Sequence, residues 1–138
     1  MVLRVNPVHR FKVETESQME MIDVTAGIRR VVRESGVTSG MCHVFVPHTT
    51  AAITINENAD PNVRKGMIRE LLKTIPMQDD SLHTESNAAA HLLSTLVGAS
   101  QSLLVENGKL ALGTWQAIYL CEFDGPRSRT VLMRIMAE

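Results

Sequence analysis

The chain has 138 residues, of which 44% are hydrophobic and 21% are charged, and its formal net charge is −1. This length and composition exclude an intrinsically disordered chain and predict one domain, residues 1–138, that buries a core without disulfide bonds. The near-zero net charge provides no global basic field, so we expect no nucleic-acid partner.

The two cysteines suggest a reducing compartment. Cys42 and Cys121 lie in alternating apolar stretches and form no Cys-x-x-Cys pair, so we interpret them as buried free thiols. The first segment, "MVLRVNPVHR", lacks the apolar core of a signal peptide, and no apolar run approaches the roughly 20 residues of a transmembrane helix. We therefore expect a cytoplasmic protein with no membrane partner.

Strand and helix patterns alternate in the first half of the chain. In order, the periodicities predict a strand, a helix, two strands and a helix: "HRFKVETESQMEMIDVT", "DVTAGIRRVVRESG", "GMCHVFVPH", "AAITIN" and "ADPNVRKGMIRELLKTIP". Asp23 or Thr25 can cap the first helix, which Gly36 ends, and Asp60 precedes Pro61 as a typical N-cap of the second.

The second half begins with a helix, "SNAAAHLLSTLVG", for which Ser86 or Asn87 is the candidate cap, and then turns to strands. Asn107-Gly108 predicts a hairpin, and "WQAIYLCEFDG" and "RTVLMRIMA" alternate as two further strands. This order of elements, with about three helices, favours an α+β domain over a parallel βαβ sheet.

Polar and titratable residues gather in three places where predicted elements end. These places are "HTT" at 48–50 with the following Glu57, "HTESNAAAH" at 83–91, and "GTWQ" with "EFDGPRSR" between 113 and 129. Loops at the ends of elements bring distant residues together, so these segments are candidates for a common site.

Three histidines could meet if the loop before the third predicted helix folds back. His83 and His91 stand eight residues apart with Asn87 midway, and His48 would add a third nitrogen. Three imidazoles and a water form an open zinc-type site. The alternative is that His48 caps a turn and that His91 fills a polar position on its helix.

Charged residues around these histidines suit acid–base chemistry or anion binding. Glu57 is a candidate general acid or base, or a metal ligand. Arg127 and Arg129 follow a Gly-Pro turn and could clamp a phosphate or carboxylate, which the hydroxyls of "HTT" would also suit. An equally good alternative is that these arginines form surface ion pairs with Glu122 or Asp124.

Trp115, the only tryptophan, follows "LGT" and precedes Gln116. An indole at this position can wall a ligand pocket by stacking on a ring. It can equally fill the core or a subunit contact, and we favour this second interpretation.

In combination, "PHTTAA", "H-x-E-x-N-x-x-x-H" and "LGTWQ" resemble the YjbQ-like family, known as secondary thiamine-phosphate synthases. The matching stretches span residues 42 to 129. The resemblance implies a compact α+β domain with a largely antiparallel sheet or sandwich, assembled as a homotrimer. It also implies weak thiamine-phosphate synthase activity, which joins a pyrimidine diphosphate to a thiazole phosphate and releases pyrophosphate.

The family pattern also implies a set of site residues. They are His48, Thr49, Glu57, His83, Asn87, His91, Trp115, Gln116, Glu122 and Arg127. We expect catalytic roles for His48, Glu57 and His83. We expect substrate or phosphate binding by Thr49, Asn87, Trp115, Gln116 and Arg127. We expect a divalent metal, zinc or magnesium, at His48, His83 and His91.

Two features widen the interpretation. Ser86 stands where the family commonly has glycine, which changes how closely a ligand can approach that loop. A non-catalytic oligomeric protein that binds an anionic metabolite or a metal is the alternative to a small-molecule enzyme.

Overall fold

The computed structural model describes residues 7–77 and 87–138. Within these ranges eight strands and three helices follow one another. They are β1 (His9–Glu14), β2 (Glu20–Asp23), α1 (Thr25–Ser35), β3 (Ser39–Phe45), β4 (Ala51–Glu57), α2 (Pro61–Thr74), α3 (Ala88–Val97), β5 (Ser100–Glu106), β6 (Lys109–Leu110), β7 (Gln116–Glu122) and β8 (Ser128–Ala137).

The strands form two antiparallel sheets. One has five strands in the order β1-β8-β3-β5-β6, and the other has three in the order β2-β7-β4. The predicted α+β fold with a largely antiparallel sheet or sandwich and three helices is confirmed.

Local signals place most elements where the sequence predicts them. Asp60 caps α2 by accepting a hydrogen bond from the Asn62 backbone N–H at 2.9 Å. Gly36 ends α1 in the left-handed conformation, and the Asn107-Gly108 turn joins β5 to β6 with positive φ at both residues. The segment predicted as the first strand forms two strands, β1 and β2. A turn separates them, in which the Glu20 carboxylate accepts hydrogen bonds from the backbone N–H groups of Glu16 and Ser17.

The main core lies between the two sheets, and a second core lies on the far side of the three-stranded sheet. β7 contributes to both: Ile118 and Leu120 face the five-stranded sheet, whereas Ala117, Tyr119 and Cys121 face the second core. Burial on both faces explains why β7 reads as a nearly continuous apolar run. Across the second core lie Ala90 and Leu93 of α3.

Both cysteines are free and buried. Burial raises the pKa of Cys42 to about 11 and that of Cys121 to about 12. Thiols held in this protonated form are poor nucleophiles and poor metal ligands, so we assign both side chains to packing.

No helix in 7–77 or 87–138 combines the length and the apolar character needed to cross a bilayer.

Two glycines give opposite expectations for substitution by alanine. A Cβ at Gly40 in β3 would overlap the Met136 backbone carbonyl of the neighbouring strand, whereas one at Gly66 in α2 meets only the Arg69 side chain at 3.7 Å. We expect Gly40→Ala to lower the free energy of unfolding by about 1–3 kcal/mol. Gly66→Ala should raise it by about 0.5–1 kcal/mol, because alanine is favoured within a helix. Urea denaturation measures both; changes of the same sign would contradict this packing.

Candidate functional site

The predicted site residues lie at two opposite ends of β4. At its start Ala51 pairs with Glu122, and at its end Glu57 pairs with Gln116. A seven-residue strand spans roughly 20 Å at about 3.3 Å per residue. The expectation that His48 and Glu57 share one pocket is therefore wrong within a single chain.

We call these regions the histidine end and the tryptophan end. The histidine end comprises His48, Thr49, Asn87, His91 and Arg127. The tryptophan end comprises Glu57, Trp115 and Gln116. His83 and Ser86, which were also singled out from the sequence, lie outside the described residues.

A cavity of about 420 Å³ opens at the histidine end. Its lining comes from the start of β4 and from α3 with the turn that follows it: His48, Thr49, Ala51, His91, Ser94, Thr95, Gly98 and Ala99. Ser94 is 8% exposed, and its hydroxyl is buried with no hydrogen-bond partner in the part of the protein described. Because almost none of its surface is reachable by water, this oxygen faces the protein interior, and Ser94 lines the cavity with its other atoms. Sequence reasoning missed Ser94, although it lies one turn after His91 on the same helix.

His48 is held by the backbone of β8. Its Nε2 accepts a hydrogen bond from the Thr130 N–H at 2.9 Å. Burial and the nearby Arg129 charge lower the pKa of His48, although the Glu122 charge acts in the opposite direction. The ring is therefore neutral at pH 7 and has one nitrogen already in use.

Beside His48 lies a buried ion pair, Glu122 with Arg129. Thr15 donates its hydroxyl to Glu122 Oε1 at 2.7 Å, and the Asp124 N–H donates to Oε2 at 3.0 Å. Arg129 donates from Nε to Oε1 at 2.8 Å and from Nη2 to Oε2, to the Thr50 carbonyl at 3.1 Å and to the Thr50 hydroxyl at 2.9 Å. Burial raises the pKa of Glu122, but the hydrogen bonds from Arg129, Asp124 and Thr15 outweigh it and hold this pKa below its usual value.

This pair changes the interpretation of the two arginines. Arg129 is 4% exposed and Glu122 is fully buried, so Arg129 is neither half of an anion clamp nor part of a surface ion pair. The strand alternation contained the signal, because Arg129 has the same parity as the buried Val131 and Met133. We assign Arg129 to positioning of the segment that carries His48.

Arg127 and Asn87 meet at the carboxylate of Asp124. Arg127 donates from Nε to the Asp124 carbonyl at 2.7 Å and from Nη2 to its carboxylate at 3.0 Å. The Asn87 amide donates to the same carboxylate oxygen at 3.2 Å. Since the Arg127 side chain is 54% exposed, it forms an oriented guanidinium at the surface beside the start of α3.

At the tryptophan end two hydrogen bonds hold the backbone in place, but the Trp115 side chain is not buried. The Gln116 side chain accepts from the Gly113 N–H at 2.8 Å, and the Asn58 N–H donates to the Trp115 carbonyl at 3.0 Å. Trp115 is 63% exposed, so a role in the core is wrong, whereas a ligand or subunit contact stays a prediction. The Glu57 carbonyl accepts from the Tyr119 hydroxyl at 3.1 Å.

The described residues alone do not complete a metal centre at His48. Among them no group of three His, Cys, Asp or Glu side chains is arranged to hold a metal ion. A ligating imidazole gives its lone pair to the metal and keeps a proton on the other nitrogen, whereas Nε2 of His48 accepts from a backbone N–H. Since His83 lies outside the described residues, metal binding by His48, His83 and His91 stays a prediction.

The buried pair makes a prediction about stability. Glu122→Ala leaves the Arg129 charge buried without its partner, so we expect the free energy of unfolding to fall by about 3–5 kcal/mol. The matched control is Glu70→Ala, which breaks a pair with Lys73 whose side chains are both 67% exposed and should cost less than about 1 kcal/mol. Urea denaturation at pH 7 measures both variants, and equal losses would contradict the assignment.

The pH dependence of the free energy of unfolding is a second measurement of the Glu122–Arg129 pair. Because the folded pKa of Glu122 is lowered, its stabilisation is complete above the unfolded pKa of about 4.3 and is lost as the pH falls through the folded pKa. Glu122→Gln should therefore lose less stability than the wild type between pH 5 and pH 3.

Comparison with known proteins places the chain in a family. The family model described as "UPF0047 protein YjbQ-like" matches residues 9–138. The UPF0047 protein YugU of Bacillus subtilis is 51% identical over 126 residues, covering 91% of this chain and 96% of that protein. A UPF0047 protein of Methanocaldococcus jannaschii is 42% identical over 137 residues and 99% of both chains.

Solved structures agree with this placement. A YjbQ/UPF0047 family protein of Clostridium acetobutylicum superposes with a TM-score of 0.89 at 48% identity, covering 93% of this chain and 99% of that one. A YjbQ-like protein of Sulfolobus solfataricus superposes with a TM-score of 0.90 at 35% identity, covering 96% and 97%. The chain belongs to the UPF0047 YjbQ-like family.

Proposed function

We propose that the histidine end binds a small phosphorylated metabolite and that the protein is an enzyme acting on it. The observation that carries the proposal is the cavity of about 420 Å³, whose lining includes His91 and Ser94. His48, Thr49 and Thr95 add further hydrogen-bonding groups to the same lining. A volume of this size suits a small ligand, since ligand sites commonly span about 300–1,000 Å³.

We further propose weak thiamine-phosphate synthase activity as the reaction. Membership in the family supports it, together with a site that offers hydroxyl and imidazole groups to phosphate oxygens. A pyrimidine diphosphate and a thiazole phosphate would be joined as the bond to pyrophosphate breaks. Hydrogen-bond donors that lie against the leaving pyrophosphate would stabilise the charge that develops on it.

A non-catalytic binding protein is the second candidate, and one observation favours it. Of the described carboxylates at the histidine end, Glu122 and Asp124 are each paired with an arginine. Glu57, the predicted acid or base, lies at the other end of β4. Stoichiometric ligand binding without release of pyrophosphate would support this candidate over the enzyme.

The cavity predicts that His91, like His48, matters for ligand binding. We expect His91→Ala to weaken binding of the thiazole phosphate about tenfold, or about 1.4 kcal/mol, because His91 lines the cavity. Arg127→Ala should weaken it similarly through loss of the oriented guanidinium. Titration calorimetry measures affinity, and a pyrophosphate-release assay measures turnover.

A matched control lies on α1, which does not contribute to the lining of the cavity. Arg30 is exposed there, and Arg30→Ala should leave affinity unchanged. If Arg30→Ala and Arg127→Ala behave alike, this location of the site is wrong.

We also propose that the chain assembles as a homotrimer. The outer face of the five-stranded sheet supports an assembly, because none of the described helices covers it and it exposes Phe45, Leu104 and Met136 by 45%, 57% and 44%. In such an assembly the tryptophan end of one copy could complete the histidine end of another. That arrangement would reunite Glu57 and Trp115 with His48.

Assembly can be tested by placing a charge on this face. Leu104→Lys or Met136→Lys should give monomers, since a lysine buried at a subunit contact is strongly unfavourable. Leu96→Lys is the control: Leu96 is 65% exposed but belongs to α3 rather than to the sheet. Light scattering coupled to size exclusion gives the mass. A monomeric wild type, or identical behaviour of all three variants, would contradict the proposal.

A cytoplasmic location belongs to the same proposal. Its support is the pair of free buried thiols, which suits a reducing compartment.

A further inference from the structure

We infer that His48 serves the cavity as a fixed, neutral hydrogen-bond donor, presenting Nδ1–H to an oxygen of the anionic ligand. This assigns His48 neither to proton abstraction nor to metal ligation. The inference rests on the proposed function for the existence of a phosphate-bearing ligand, but the state of the ring follows from contacts within the chain.

The contact with Thr130 determines which nitrogen of His48 carries the proton. A backbone N–H can only donate, so the Thr130 N–H requires a lone pair on His48 Nε2. A neutral imidazole carries its single proton on the other nitrogen, which here is Nδ1. The 2.9 Å contact thus selects one tautomer of the free protein.

Strand β8 offers this N–H to a side chain because β3 ends before it reaches Thr130. Pairing of β3 with β8 ends at Phe45 opposite Leu132. Continuing the same register by two residues would set Thr130 opposite Pro47, where β3 has already ended. The His48 ring supplies the acceptor that the missing strand would have provided, so its position is tied to the sheet.

Both partners of this contact are held in place by neighbouring contacts. Arg129, adjacent to Thr130, is anchored by Glu122 and donates to Thr50, two residues after His48. On its other side β8 pairs with β1, where Lys12 lies opposite Thr130. The acceptor and the donor are thus both held by the same buried network, which makes the ring a preorganised group.

The other nitrogen of His48 is free to bind a ligand. His48 lines the cavity, and its Nδ1–H is a donor that a phosphate oxygen can satisfy. Lys12 lies opposite Thr130 and donates to its hydroxyl at 3.0 Å, which adds a cation near this ring. The ligand class is therefore an oxyanion, with the phosphate of the metabolite as the group recognised.

Nuclear magnetic resonance tests the tautomer directly. Long-range proton–nitrogen spectra of imidazole-labelled protein at pH 7, assigned by comparison with His48→Gln, should show protonated Nδ1 and unprotonated Nε2 for His48. A protonated Nε2, a doubly protonated ring, or a ring bound to stoichiometric zinc in elemental analysis would each overturn the inference.

Two substitutions test the function, with inorganic phosphate and pyrophosphate as probes. In His48→Gln the amide can accept from Thr130 and donate into the cavity, but it cannot take up a proton. We expect its affinity to stay within about threefold of the wild type, whereas His48→Ala should lose more than about tenfold. Arg30→Gln on α1 is the control, and its affinity should not change.

The outcomes separate the inference from the proposed function. If the wild type binds these anions and His48→Gln is as weak as His48→Ala, the donor role is wrong and the proposed function stands. If the wild type binds neither anion, the proposed function falls and takes the ligand of this inference with it. Should His48→Ala fail to fold, the spectra and His48→Gln still decide.

Discussion

The structure depends on one buried ion pair, Glu122 with Arg129, which joins the two sheets at one edge of the core. Glu122 ends β7 in the three-stranded sheet, and Arg129 begins β8 in the five-stranded sheet. Two charges removed from water are unfavourable unless their hydrogen-bonding capacity is filled. Here Thr15, Thr50 and the Asp124 N–H complete it. The pair therefore determines where four segments of chain meet.

This ion pair also determines the position of the histidine end. Thr50 is bonded to Arg129, so the segment just before β4 is held against β8. His48 lies two residues earlier and bonds to Thr130, the residue after Arg129. On the other side, Asp124 gathers Asn87 and Arg127, which brings the start of α3 to the same region. The contacts that bring β4 and α3 together around the cavity therefore also stabilise the fold.

Local patterns in the sequence were sufficient for the fold class and for most element boundaries. The Asp60 cap, the end of α1 at Gly36 and the Asn107-Gly108 hairpin depend on residues within a few positions of each other, so one sequence reveals them. Within one chain Glu57 does not join His48, because β4 carries the two residues to opposite ends of a sheet. Register between distant strands is set by packing, and no short motif encodes it.

The same distinction explains the two arginines. Arg127 and Arg129 flank one serine, and adjacency suggested a shared role, yet Arg127 lies in the turn before β8 and only Arg129 lies within the strand. One side chain enters the core and the other reaches the surface. Each is also matched by a carboxylate, so neither adds an unpaired positive charge to the histidine end. Recognition of an anion there would depend on the oriented His48 ring and on the charge of Lys12, which acts on that ring.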